Sequence, residues 1–263
     1  MPASTATTSA VTGREVIVLL HSLGTDRTVW RPQVAALESR YRVLTPESRG
    51  HGSTPWGGRL DLDTWVADLD EFLDTALGPA PAPVHLVGLS MGGVQAIEYA
   101  AQRPERVRDL TLADTFAALP AATARARVEE MTQAVTTLGM STYADQYLQQ
   151  TLVEQIPAPD RAAMRSAIAG MSPDAYIASV EVTFLTDHRP VLPNIWQPAL
   201  VLVGEKDHKS PAPLAEQLAS GLPNARLATI PGAGHLSNIE NPVEFNNALT
   251  TFFTAPTVTE ATS

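Results

Sequence analysis

The sequence contains no cysteine. Disulfides, a cysteine nucleophile and thiolate metal sites are therefore excluded together. Positive charge is scarce as well: 18 Lys+Arg stand against 28 Asp+Glu, a formal net charge of −10, and the only lysines are Lys206 and Lys209. No basic run exists to replace the counterions of a nucleic acid, and an acidic chain is not drawn to an anionic membrane surface, so neither partner is expected. No stretch approaches the roughly 18 apolar residues that a membrane span requires. The first residues, Met1 to Gly13, lack the basic-then-apolar order of a secretory signal, and a cytoplasmic location is expected. Metal-ligand spacing such as H-E-x-x-H is missing, and no G-x-G-x-x-G follows a strand pattern. The expectation is no metal and no cofactor.

What is present is the composition of a folded enzyme-sized chain: 263 residues, 44% hydrophobic and 17% charged. α/β folds of roughly 250 residues commonly form one unit. The ends, 1–12 and 255–263, are rich in Thr, Ala and Ser and are expected to fray. Between them, short β-branched runs alternate with helical patterns, which predicts a mainly parallel sheet with helices on both faces. The strand candidates are Glu15–Leu20, Tyr41–Thr45, Val84–Val87, Leu110–Leu112, Ala199–Val203 and Arg226–Ile230. The clearest helix runs from Asp61 to Leu77, where Leu62, Trp65, Val66, Leu69, Phe72 and Leu73 make one apolar stripe. Others should begin just after Ser90 and span Pro242 to Phe253. From Thr115 to Ile195 the alternation stops and only helical patterns remain. The predicted organisation is a core of 1–114 and 196–263 interrupted by a helical lid or cap, 115–195. Met131, Met140, Met164 and Met171, with Tyr143, Tyr147 and Tyr176, would supply an adaptable apolar roof.

One motif carries chemistry directly. Gly88-Leu-Ser90-Met-Gly92 follows an apolar strand and opens a helix, the G-x-S-x-G context in which a strained turn holds a serine oxygen above the sheet edge. A serine hydroxyl needs a base, and the base needs an acid to orient it, here in the chain order Ser, Asp or Glu, His. His235, in the glycine-rich loop Pro231-Gly-Ala-Gly-His-Leu-Ser-Asn238, is the candidate base. Asp207, in the loop closing the preceding strand, is the favoured acid; its neighbours Glu205 and Lys206 read as solvated loop charges. Asp114, at the end of Leu110-Thr-Leu-Ala-Asp, is the rival. A tetrahedral oxyanion needs two backbone donors; the N–H of Met91 and, from His21-Ser-Leu-Gly24, that of Leu23 are the candidates. His21 and His51 are expected to hydrogen-bond neighbouring loops near the site, and His85, His188 and His208 to be structural or solvated. Arg125, Arg127 and Arg189 could anchor an anionic substrate, although solvated faces explain each of them.

These residues make the chain resemble the serine α/β-hydrolase superfamily over nearly its whole length. Within it, the chain is similar to the 3-oxoadipate enol-lactonase group, through His21-Ser-Leu-Gly-Thr-Asp-Arg-Thr-Val-Trp30, Arg49-Gly-His-Gly-Ser53, Gly88-Leu-Ser-Met-Gly-Gly93 and Gly234-His-Leu-Ser-Asn-Ile-Glu240. The group usually has Asn where His21 stands and Asp where Glu47 stands, and both loops border the expected site. Dehalogenases and epoxide hydrolases of the same fold need a carboxylate in place of Ser90. The resemblance implies the α/β-hydrolase fold and a cofactor-independent hydrolase of a small carboxylic ester or lactone, acting through an acyl-enzyme. The same triad could also serve C–C bond hydrolysis, acyl transfer or peracid formation. A non-catalytic ligand-binding protein is the remaining alternative.

Overall fold

The computed structural model describes residues 14–79 and 82–255; the ends expected to fray lie outside them, apart from Ala255. In chain order the elements are β1 (Val16–Leu20), α1 (Arg31–Leu37), β2 (Arg42–Leu44), α2 (Leu62–Leu77), β3 (Val84–Leu89), α3 (Met91–Gln102), β4 (Val107–Ala113), α4 (Ala121–Thr151), α5 (Ala158–Gly170), α6 (Pro173–Leu185), β5 (Ala199–Gly204), α7 (Ala212–Gly221), β6 (Ala225–Ile230), α8 (Ser237–Glu240) and α9 (Pro242–Thr254). The strands form one parallel sheet in the order β2-β1-β3-β4-β5-β6.

Alternate residues of each central strand enter different cores, as a sheet covered on both faces requires. Ile17 and Leu19 of β1 pack in one cluster with Trp30, Phe245 and Leu249. Val18 and Leu20 pack in the other with Leu69, Leu73, Ile97 and Leu218. Helices α1 and α9 therefore cover the first face, and α2, α3 and α7 the second. α2 starts where the chain sets an N-cap: Asp61 is extended and accepts the Thr64 N–H at 2.8 Å. The long α4 is broken at Gly139, whose φ of 71° and ψ of 158° belong to glycine.

No strand interrupts residues 115–195 among the described residues. α4, α5 and α6 fill that stretch, and their Tyr143, Ala144, Met164, Ile168 and Tyr176 join the first-face core.

The order of strands places the site. The chain lays β2 on one side of β1 and then β3 on the other, so loops leaving β1 and β3 diverge at their carboxyl ends. That divergence opens a crevice, the place where ligands bind in doubly wound sheets.

Candidate active site

Ser90 stands in the crevice between the end of β3 and the start of α3. Its φ is 54°, in the left-handed region, and its N–H donates to the Ala113 carbonyl at 2.8 Å. Thr115 Oγ1 donates to its carbonyl at 2.8 Å, so the turn is clamped from β4. The glycines of the motif permit the close passage of strand and helix. A Cβ on Gly92 would overlap the Leu20 carbonyl oxygen, and one on Gly88 would overlap the Gly92 carbonyl oxygen.

His235 comes from the loop after β6. Its Nε2 is 3.0 Å from Ser90 Oγ. Its Nδ1 lies 3.1 and 3.0 Å from Asp207 Oδ1 and Oδ2. With Nδ1–H given to the carboxylate, Nε2 is left as the acceptor for the serine hydroxyl. Burial alone would push the Asp207 carboxyl up, but His235 and the N–H groups of Ser210 and Lys209 hold it below the usual carboxylate range.

The rival carboxylate, Asp114, does not touch His235. It is fully buried, with φ 49°, and ties together the ends of β4 and β5 and the His235 loop. Gly204 N–H donates to its Oδ1 at 2.9 Å, while Ser237 donates to Oδ2 through N–H at 3.0 Å and Oγ at 2.6 Å. Burial, and then the Asp207 charge, push the Asp114 carboxyl well above its usual range against these bonds. The two carboxyls are thus forced apart in proton affinity, with the charge on the one that faces His235. The aspartate-to-serine tie was not anticipated from the sequence, because it depends on two loops 123 residues apart.

Beside the serine, Met91 is the first residue of α3, where no helical carbonyl is in reach of its N–H. In the β1 loop, Thr25 N–H donates to Ser22 O at 3.1 Å and Gly24 N–H to His51 Nε2 at 3.2 Å. Leu23 N–H has no protein acceptor among the described residues. His21 and His51 hold this loop as expected. His21 Nε2 accepts the Ser48 N–H at 3.0 Å, and the two rings lie 4.9 Å apart. Both are buried, which lowers both pKa values, that of His51 to about 3. Glu47 accepts from Ser53 and Arg27, so it braces its own loop. Neither His21 nor Glu47 lines the pocket that holds Ser90.

That pocket has a volume of about 220 Å³ and contains Ser90, His235 and Leu23. Met131, Tyr143, Tyr147 and Phe184 from α4 and α6 form much of its wall. Met140, Met164, Met171 and Tyr176 are buried in packing instead. A larger cavity, about 500 Å³, lies against α2 and the 46–57 loop and holds none of the three. Of the three arginines considered, only Arg127 borders the site; Arg125 is exposed outside it and Arg189 pairs with Asp187 at 2.6 Å. His85 pairs with Asp109 at 2.7 Å and His188 with Glu98 at 2.9 Å, while His208 is an exposed residue of the pocket rim. Among the described residues no group of three His, Asp or Glu side chains could hold a metal ion. No helix among them is long and apolar enough to cross a membrane.

Known proteins share this arrangement of chain. A 3-oxoadipate enol-lactonase of Acinetobacter baylyi is 29% identical over 90% of this chain and 87% of its own. The crystal structure of the enol-lactonase from Burkholderia xenovorans superimposes with a TM-score of 0.81 at 30% identity, covering 92% of each chain. The bromoperoxidase from Bacillus anthracis does so with a TM-score of 0.83 at 26% identity, again over 92% of each. The sequence profile of the alpha/beta hydrolase family matches residues 17–248, and the chain belongs to that family.

Proposed function

We propose that the protein is a cofactor-independent serine hydrolase of small carboxylic esters or lactones. The observation that carries this reading is the line from Ser90 Oγ to His235 Nε2 at 3.0 Å, with the Asp207 carboxylate behind Nδ1. Ser90 attacks the carbonyl carbon while His235 takes its proton, and Asp207 steadies the imidazolium. The N–H groups of Leu23 and Met91 receive the oxyanion, and the positive end of α3 favours the same charge. As the tetrahedral adduct collapses, His235 returns the proton to the departing alkoxide. It then deprotonates a water that attacks the acyl-enzyme, releasing the acid and freeing Ser90. From a lactone, alcohol and acid remain in one product. In this reading 115–195 is a cap, supported by the pocket-wall residues of α4 and α6, over a core of 1–114 and 196–263.

A fluorophosphonate, read by intact mass, tests the proposal. Wild type is expected to gain one adduct, and Ser90→Ala and His235→Ala none. Absence of an adduct on folded wild type would favour a ligand-binding protein instead. The likeness to a bromoperoxidase supports a second reading: hydrogen peroxide in place of water would convert the acyl-enzyme to a peracid. Halide oxidation that needs both peroxide and Ser90 would establish it.

A further inference from the structure

Two cations without a carboxylate partner border the pocket of Ser90. Lys209, two residues beyond Asp207, places its Nζ 4.8 Å from the centre of the Tyr147 ring. Arg127 of α4 lays its guanidinium carbon 5.6 Å from the Phe184 ring and donates Nη2–H to the Lys209 carbonyl at 2.9 Å. Other cations of the chain are paired: Arg165 with Asp145, Arg189 with Asp187 and Lys206 with Glu154. Arg127 and Lys209 make no such pair among the described residues. Glu130 also lines the pocket but is exposed, so water screens its charge. Burial pulls both cations below their usual pKa ranges, and the Arg127 charge pulls Lys209 further, against the opposing charges of Asp207 and Glu130. Two like charges are drawn together half out of water, in contact with ring faces and one carbonyl; the Asp207 charge acts on both from beyond ion-pair distance and is itself engaged by His235. The two cations stand in a chain whose net charge is −10, so attraction for an anion here is local and not a property of the whole molecule.

We propose that Arg127 and Lys209 form an anion-binding subsite of the pocket, and that the preferred substrates are small esters or lactones carrying a carboxylate in addition to the scissile carbonyl. The proposal rests on the hydrolase reading of Ser90. The guanidinium fork and the ammonium would grip the carboxylate from two sides. Thr183 Oγ1, buried and without a partner among the described residues, belongs to the same pocket wall and adds a hydroxyl. The sequence alone pointed to Arg127 among three arginines and passed over Lys209, because its proximity to Arg127 arises only when α4 folds back over the β5 loop.

The test compares monomethyl glutarate with methyl pentanoate, which share a chain length and differ by one carboxylate, reading the acid released. Wild type is expected to favour the charged ester in kcat/KM by about tenfold to a hundredfold, the range of a hydrogen bond to a charged group. Lys209→Met and Arg127→Met should each erase most of that ratio, and Lys209→Glu should invert it. Arg125→Gln, on the same helix but outside the pocket, should keep it. Because the ratio is taken within one preparation, a partly unfolded variant still reports it. A ratio near one in wild type, or an unchanged ratio in the Lys209 and Arg127 variants, overturns the subsite; if a fluorophosphonate still labels Ser90, the hydrolase reading survives. Failure of that labelling overturns both.

Discussion

Asp114 shows how one buried side chain can matter to a site without facing it. Its carboxyl satisfies three donors from Gly204 and Ser237, so truncation leaves them unpaired in a place water does not reach. Asp114→Ala is expected to cost at least about 1–3 kcal/mol in urea unfolding, the penalty of a single orphaned buried donor. Asp114→Asn, which keeps one acceptor, should cost less, whereas Asp207→Asn should abolish fluorophosphonate labelling with little loss of stability. The reverse order of the two Asn effects would make Asp114 the acid. The meeting of Ser90, Asp207 and His235 was legible in sequence because their loops follow strands and carry recognisable small-residue neighbours. The bracing role of Asp114 and the partnership of Lys209 with Arg127 were not, since each depends on side chains meeting across the fold.

At the scale of elements, the alternation of apolar runs and helical stripes located all six strands within a few residues. Burial on both faces makes such strands nearly continuous in apolar residues, and this is a strong signal. β4 began earlier than its apolar run suggested, at Val107, because Arg108 and Asp109 sit in the strand while pairing with Glu15 and His85 at the sheet's lower edge. The short α1 was missed: its seven residues, with Pro32 at the start, give too little periodicity. The break in α4 was also silent in the sequence, where Gly139 sits inside a helical pattern. Its backbone angles lie where a side chain is strained even though the space is open. Gly139→Ala is therefore expected to destabilise by about 1–3 kcal/mol, measured by chemical unfolding. No loss would mean that α4 runs straight without penalty.

For the whole molecule, the paired histidines of the β1 loop set a limit in acid. His51 is held neutral by burial, its pKa lowered from 6.5 to about 3, and His21 is shifted the same way. The unfolded chain takes up these protons below about pH 6.5, and the folded chain only at lower pH, about 3 for His51. Stability is therefore complete above that pH and declines as pH falls from 6.5 toward 3. Melting temperature should drop through this window, and more shallowly in His51→Gln; equal slopes would exclude the ring as the cause. The same molecule draws its site from the ends of β3, β5 and β6, with His235 following the last strand to be made. In the proposed mechanism, a ribosome-bound chain that already exposes Ser90 still lacks His235, and the loop bearing it follows β6, which pairs with β5. Under the proposed triad, the serine is thus made long before its base, and a copy that stops short of His235 would carry Ser90 unactivated and take up no fluorophosphonate.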